Sequence, residues 1–249
     1  MENTYSKKLV VAPSMSDGSG LLSIHSTFGL FMDIAMEHAT ELGIGLDYTM
    51  SRGLFWITVR TRVKFNRRPK LSEVLIAKTW PERPNKLRTN RYYTLSDDEG
   101  IAVEGKTEWA VINLETGRPQ PLGCVFAEDF DFSEEKVCEE PFMRINEDFS
   151  ECPALPTFIV GSSDIDMARH MNNVMYIREL LNLFSTPELE EMNITEMEVC
   201  YRASCYEGDV LTPRYRRTED GMEFGIIRPD GKASVLIHTK FGNENFLRK

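Results

Sequence analysis

The sequence has few of the residues that build metal and redox centres. Its four histidines lack the H-E-x-x-H spacing, and no two of its five cysteines form a C-x-x-C pair. Neither a metal site nor a redox dithiol is therefore expected. The glycine-rich patterns G-x-x-x-x-G-K-[ST] and G-x-G-x-x-G are also missing, so no nucleotide cofactor is predicted. We expect an activity that needs no cofactor.

Long apolar runs are missing as well. No stretch approaches the roughly 20 residues that a membrane helix needs. The first residues also lack the basic-then-apolar plan of a signal peptide. We expect a cytoplasmic protein with reduced thiols and no membrane association. Hydrophobic residues make up 41% and charged residues 27%, as in folded globular proteins, and 249 residues allow one large domain or two of ordinary size.

A net positive charge is the third thing the chain lacks. Its formal charge of −10 argues against a general nucleic-acid-binding protein. Basic residues still cluster at 64–70, 83–91 and 214–217. Each cluster is either a solvated strand end or a binding patch for an acidic partner protein. The second interpretation is compatible with the negative net charge, because a local positive field can guide an acidic partner to the surface.

The first half predicts one helix followed by strands. Ser26-Thr27 would cap a helix that begins near Phe28, and glycine would end it after Leu42. Its apolar stripe includes His38, which we interpret as a packed core histidine. Strands are expected at 8–12, 55–65, 74–80, 88–95 and 101–112.

An acidic segment interrupts the pattern between residues 128 and 151. It contains ten carboxylates but only Lys136 and Arg144 as basic residues, shows little periodicity, and is followed by Pro153 and Pro156. We interpret it as a linker. The predicted organisation is an N-terminal domain at 1–125, a linker at 126–155 and a C-terminal domain at 156–249.

The second half repeats the first. Val63 and Val199, like Glu73 and Asp209, are separated by 136 residues in matching strand contexts. A second helix follows Val174, and strands are expected at 157–161, 194–201, from 208, at 222–227 and at 233–241. Two copies of one unit, each a helix followed by about four antiparallel strands, explain this most economically.

The polar run before the second helix is the candidate site. Asp166 and His170 lie in the loop that leads to the helix, and Asn172 or Asn173 is a natural N-cap. Unsatisfied backbone N–H groups at a helix N-terminus can stabilise an oxyanion. The alternative is that these residues serve only as caps and structural groups.

Residues 164–177 fit the pattern D-x-D-x-N-x-H-x-N-N-x-x-Y-I nearly throughout. With Trp56, Asn66-Arg67-x-Pro69, Thr79-Trp80 and the segment 108–113, they make the chain resemble the acyl-ACP thioesterases. The resemblance implies an α+β protein of two tandem hotdog domains, each a long helix wrapped by a curved antiparallel sheet. It also implies hydrolysis of acyl-acyl-carrier-protein to free fatty acid in fatty acid biosynthesis.

The family's catalytic residues map onto Asp166, His170 and Cys205. Asp166 would act as general base or nucleophile, and His170 would orient the reacting groups or donate a proton to them. Cys205 paired with His170 is the competing nucleophile, and a buried structural thiol is its other interpretation. Ala168 stands at the family's asparagine and Ser204 at its glutamate. We favour Asp166 with His170.

The resemblance also indicates substrate-binding residues and a partner. The candidates for substrate binding are Asn172, Asn173, Arg169, Trp56, Phe28 and Met32. The expected partner is an acyl carrier protein, and the protein would be a monomer or a homodimer. Two alternatives stay open: an acyl-CoA thioesterase and a non-catalytic acyl-binding hotdog protein.

Overall fold

The computed structural model describes residues 3–243. The chain divides into two compact units between Glu140 and Pro141. No helix within the described range is long and apolar enough to cross a membrane.

From residue 3 onward, the first unit contains two α-helices and six strands, besides two short 3-10 helices. The helices are α1, Ile24–Glu41, and α2, Leu46–Met50; the strands are β1, Tyr5–Val10, β2, Leu54–Phe65, β3, Val74–Pro81, β4, Arg88–Asp97, β5, Gly100–Asn113, and β6, Pro119–Gln120. The strands pair antiparallel in the order β1-β3-β4-β5-β2, and β6 pairs with β5. The predicted strands are confirmed within a few residues, whereas α2 was not predicted.

Helix α1 packs its apolar stripe on this sheet. The stripe includes Phe28 and Phe31, which are 1% and 0% exposed. Phe31 stacks on Tyr93 of β4 with ring centroids 4.5 Å apart. Gly105 of β5 makes room for it, because a Cβ there would lie 2.4 Å from the Phe31 ring. The predicted start of the helix was wrong by about one turn, since Ser23 is the N-cap and accepts the Ser26 N–H.

His38 is a core histidine, as predicted. It is 3% exposed, and its Nδ1 lies 2.9 Å from Nη1 of Arg91 on β4. Burial first, and then the charge of Arg91, lower the pKa of His38 to about 4. Burial also lowers the pKa of Arg91 to about 10. The imidazole is therefore neutral at neutral pH.

The second unit repeats this plan with a shorter first helix. Its elements are α3, Asn173–Leu181, α4, Thr186–Met192, β7, Phe158–Ile159, β8, Ile194–Tyr201, β9, Val210–Arg217, β10, Gly221–Ile227, and β11, Ala233–Phe241. The strands pair antiparallel in the order β8-β11-β10-β9-β7. Asn172 caps α3, which confirms one of the two predicted caps. Helix α4 was not predicted, although Ser185 and Glu188 form a capping box at its start.

The acidic segment 126–155 contains no helix or strand. Phe126 and Phe132 pack into an apolar cluster of the first unit. Ile145 and Phe149 pack into one of the second unit. The segment thus belongs partly to each unit, and the domain and linker boundaries proposed from the sequence stay a prediction.

Candidate functional site

A tight hairpin holds Asp166 and His170 together. Ile165 and Met171 form an antiparallel bridge. Between them the Asp166 N–H donates to the His170 carbonyl at 2.9 Å, and the Arg169 N–H donates to the Asp166 carbonyl at 3.0 Å. The two candidate side chains are therefore fixed at the base of one loop.

The carboxylate of Asp166 is half-buried and only partly hydrogen-bonded. Its Oδ1 accepts the Ala168 N–H at 2.8 Å. No donor among residues 3–243 contacts its other oxygen. Ala168 lacks the amide side chain of the family pattern, but its backbone still supports the carboxylate. Asp166 keeps one oxygen available for a water or a substrate.

His170 is brought to a second loop, which follows β8. The Met171 N–H donates to the Cys205 carbonyl at 2.8 Å and joins the two loops. The half-buried His170 ring meets the Tyr206 ring edge-on, with centroids 5.1 Å apart and an interplanar angle of 72°. This contact restrains the imidazole without using either ring nitrogen. The sequence analysis missed Tyr206, because it lies 36 residues beyond His170 and follows no motif.

Cys205 lies inside the second unit. Its side chain is 0% exposed, and its backbone N–H donates to the Tyr176 hydroxyl at 3.1 Å. Burial first, and then the hydrogen bond to the Cys205 side chain, raise the pKa of the Tyr176 hydroxyl. A buried thiol next to a neutral phenol lacks the cationic surroundings that activate cysteine nucleophiles.

The start of α3 leaves one backbone donor free. The side chain of Asn172 accepts the Val174 N–H at 2.9 Å, and its carbonyl accepts the Met175 N–H at 2.9 Å. In the described part of the chain the Asn173 N–H has no protein acceptor. Tyr201 donates to the Asn173 carbonyl at 3.3 Å, in the next peptide along the helix. Asn172 thus positions the helix start, and Asn173 offers the donor.

An ion pair that the sequence analysis missed anchors the loop to α3. Asp164 is 5% exposed and accepts the Gly161 N–H at 2.8 Å and Arg178 Nη2 at 2.5 Å. The first aspartate of the D-x-D pattern is therefore structural. The available signal was a lone arginine on the polar face of the predicted helix.

The first unit contains the same hairpin without the same chemistry. There the Asp17 N–H donates to the Leu21 carbonyl at 2.8 Å, and the Gly20 N–H donates to the Asp17 carbonyl at 3.0 Å. Asp17 therefore corresponds to Asp166, and Leu21 stands where the second unit has His170.

A third backbone hydrogen bond extends the correspondence to the second loop. The Leu22 N–H donates to the Pro69 carbonyl at 2.7 Å, as the Met171 N–H donates to that of Cys205. Residue 68 thus corresponds to residue 204. Arg68 forms an ion pair with Asp17, whereas the second unit has the exposed Ser204. Of the two hairpins, the second alone has an aspartate that lacks an ion-pair partner among residues 3–243 and is paired through the backbone with a histidine.

Three of the predicted substrate-binding residues lie in the first unit. Phe28 is buried in the contact between α1 and the sheet. Met32 is half-buried, and its Sδ accepts the Thr58 hydroxyl at 3.7 Å. Trp56 donates to the Ile44 carbonyl at 3.0 Å and belongs to an aromatic cluster. Contact of these side chains with substrate stays a prediction.

The basic clusters mostly have partners within the chain. Arg67 forms ion pairs with Glu73 and Asp97. Arg214 donates to carbonyls of the acidic segment, and Arg216 binds Glu223 and carbonyls of the same segment. These arginines stabilise local structure.

Arg169 differs from them. Its side chain is exposed and has no partner in the described residues, and its backbone has φ of +63°, where the first unit has Gly20 with φ of +71°. A non-glycine residue in this conformation costs roughly 1–2 kcal/mol. The hairpin therefore has an arginine at a position where glycine would adopt the backbone conformation at a lower free-energy cost.

Two family models match most of the chain. The acyl-ACP thioesterase N-terminal domain matches residues 2–126, and the C-terminal domain matches residues 152–243. Two similar proteins are plant enzymes named oleoyl-acyl carrier protein thioesterase, chloroplastic. The one from Arabidopsis thaliana is 23% identical over 84% of this chain and 62% of its own length. The one from Coriandrum sativum is 24% identical over 98% of this chain and 71% of its own length.

Solved structures match over nearly the whole chain. An acyl-ACP thioesterase from Bacteroides thetaiotaomicron has a TM-score of 0.87 and 23% identity, covering 96% of this chain and 98% of its own. The 12:0-ACP thioesterase from Umbellularia californica has a TM-score of 0.77 and 16% identity, covering 97% and 98%. They confirm the predicted fold, α+β with two tandem hotdog domains. The chain spans about three-fifths of the length of the Arabidopsis thaliana relatives that it matches.

Proposed function

This chain belongs to the acyl-ACP thioesterase family, and we propose that it hydrolyses acyl-acyl-carrier-protein to a free fatty acid and the carrier's thiol. The observation that carries the proposal is the hairpin at the start of α3. It pairs Asp166 with His170 through the backbone, and within residues 3–243 Asp166 has no ion-pair partner and the Asn173 N–H has no acceptor. The corresponding hairpin of the first unit has a neutralised aspartate and no histidine.

The chemistry follows from these groups. Asp166 removes a proton from a water whose oxygen attacks the thioester carbonyl carbon. The negative charge that develops on the carbonyl oxygen accepts a hydrogen bond from the Asn173 N–H at the positive end of the α3 dipole. Collapse of the intermediate breaks the carbon–sulfur bond and releases the fatty acid, and the proton that Asp166 took from water passes by way of His170 to the departing thiolate.

A direct attack by Asp166 is the variant of this mechanism that the same geometry supports. The carboxylate would form a mixed anhydride with the acyl group as the carbon–sulfur bond breaks and the thiolate leaves with a proton from His170. Water would then hydrolyse the anhydride to the fatty acid and the Asp166 carboxyl group. Cys205 is less suited to either step because its thiol is fully buried. We therefore assign it a structural role beside Tyr176.

Recognition of the carrier is the second part of the proposal. A protein with a charge of −10 repels an acidic carrier at long range, so binding needs a local positive group. Arg169 is exposed, has no partner among the residues that the structure describes, and lies between Asp166 and His170 in the chain. Asn172 and Asn173 are proposed to position the thioester at the helix start, and Phe28, Met32 and Trp56 to contact the acyl chain. Fatty acid biosynthesis in the cytoplasm, by a monomer or a homodimer, is part of the same proposal.

A parallel assay tests this function. Purified protein is given acyl-carrier protein and acyl-CoA with the same acyl chain, and free fatty acid and free thiol are both measured. We expect equal amounts of the two products, with kcat/KM higher for acyl-carrier protein. A preference for acyl-CoA would replace the proposed substrate. Binding of acyl groups without release of thiol would mean a non-catalytic protein.

A further inference from the structure

We propose that the second unit also carries a binding site for a phosphomonoester, at the turn between β10 and β11. An open surface cavity of about 360 Å³ lies there. Its lining consists of Glu147, Arg202, Ala203, Arg228, Gly231, Lys232 and Ala233. Cavities that hold small ligands begin at roughly 300 Å³, so this one can accept a phosphate together with part of the group that carries it.

The lining contains three cationic side chains and one carboxylate, and two of the cations have N–H groups without a hydrogen-bond acceptor in the described residues. Arg228 donates from Nη2 to Asp230 at 2.6 Å, whereas its Nε is buried and has no acceptor. Lys232 is exposed, and its ammonium makes no hydrogen bond within the part of the chain that the structure describes, although its charge acts on the nearby carboxylate of Asp230. A buried N–H without an acceptor is destabilising, and an incoming anion can supply that acceptor after a small adjustment of the side chain.

The third cation is already paired, but weakly. Arg202 forms an ion pair with Glu147, and their side chains are 41% and 58% exposed. Ion pairs between such exposed groups contribute little to stability, because water screens the charges. Arg202 can therefore exchange Glu147 for a stronger acceptor at little cost.

This set of donors fits a phosphate better than a carboxylate. The planar N–H groups of arginine match pairs of phosphate oxygens, and the lysine ammonium adds a point charge. A phosphomonoester carries nearly two negative charges at neutral pH and so gains most from several cations. The small residues Ala203, Gly231 and Ala233 leave room for it.

The first unit provides an internal comparison. The backbone N–H groups of residues 66 and 67 both donate to the carbonyl of Ala102, as those of residues 202 and 203 donate to that of Ser234. The turn between β4 and β5, just before Ala102, therefore corresponds to the turn between β10 and β11, just before Ser234. In the first unit the turn at 97–100 reads Asp-Asp-Glu-Gly, which is acidic. The fold itself does not require cations at this point.

Binding of inorganic phosphate tests the site without any turnover. Thermal stability and calorimetric titration are measured for the wild-type protein, the double variant Arg228→Gln/Lys232→Gln, and the control Lys86→Gln on an exposed position of the first unit. We expect phosphate to raise Tm of the wild type and the control, and the double variant to lose at least about 10-fold in affinity. Equal phosphate binding by all three proteins would overturn the proposal, as would an equal effect of potassium chloride at the same ionic strength.

Two coenzymes identify the source of the phosphate. CoA carries a phosphomonoester, and dephospho-CoA lacks it. At least about 10-fold tighter binding of CoA, lost in the double variant, would support the site and assign it to a CoA ester. Equal binding of both, with phosphate binding retained, would support the site and assign it to a free small phosphate. Hydrolysis of a short uncharged thioester should be unchanged in the double variant, so failure here is distinct from failure of the proposed hydrolysis.

Discussion

Arg68 forms an ion pair with Asp17, and Asp17 occupies in the first unit the place that Asp166 occupies in the second. The two hairpins share their backbone hydrogen bonds, so they differ mainly in their side chains. An arginine neutralises one aspartate and leaves it structural. Ser204, at the position that corresponds to Arg68, leaves the other aspartate available for chemistry.

Asp166 and His170 should be needed for turnover and not for folding. Asp166→Asn and His170→Ala should each lower kcat by at least ~100-fold, the contribution of a positioned acid or base. The matched control is Asp17→Asn, which changes the corresponding residue of the first unit and should leave kcat nearly unchanged. Steady-state kinetics on folded proteins decide this. Near-normal rates for Asp166→Asn would remove it from the mechanism.

An arginine at position 204 should reproduce in the second unit the ion pair that Arg68 forms with Asp17 in the first. Ser204 is exposed, so Ser204→Arg should fold. Its guanidinium should bind Asp166 as Arg68 binds Asp17, and kcat should fall by at least ~10-fold. Ser204→Ala is the control and should keep its activity. Equal activities for the two variants would show that the correspondence has no functional meaning.

Cys205 should be dispensable for catalysis. Because its thiol is fully buried beside Tyr176, Cys205→Ala should keep more than about a tenth of the wild-type kcat, a loss below ~1.4 kcal/mol. Mass spectrometry of protein quenched during turnover should find no acyl group on this residue. A trapped acyl-cysteine, or an inactive but folded variant, would favour a thiol mechanism.

Arg169 should act on the carrier protein and not on the bond that breaks. Arg169→Glu should raise KM for acyl-carrier protein, most strongly at low salt where screening is weak. Arg169→Gly removes the charge in a backbone conformation that glycine adopts easily, and should give a smaller rise. Hydrolysis of a short uncharged thioester should change little in either variant. Equal losses on both substrates would assign Arg169 to the fold or to the chemistry.

His38 should make the stability of the protein depend on pH. Its pKa is about 4 in the folded state and near 6.5 when exposed, so only the unfolded chain binds a proton between these values. The contribution of His38 is complete above pH 6.5 and decreases as the pH falls toward 4. Denaturant unfolding of the wild type should show a steeper loss over this interval than His38→Gln, with His25→Gln as the control. Parallel curves for wild type and His38→Gln would contradict this assignment.

The sequence by itself determined the local elements and their repetition. Apolar residues at helical and alternating spacing predicted α1, α3 and nearly all of the strands, because such spacing decides which face of an element can be buried. Asn172 could be predicted as a cap because capping needs only residues a few positions apart. The acidic composition and weak periodicity of residues 128–151 indicated a linker for the same local reason, and that interpretation stays a prediction.

The tertiary structure decided which charged and reactive side chains are paired or buried and which remain available. Asp17 and Asp166 look alike in sequence, and the partner that neutralises Asp17 lies 51 residues away on another loop. Arg91 looks like part of a basic surface cluster, yet β4 directs it into the core beside His38. Cys205 looks like a nucleophile until the loop after β8 buries it against Tyr176. Each of these outcomes depends on contacts between segments distant in the chain, and local spacing carries no information about them.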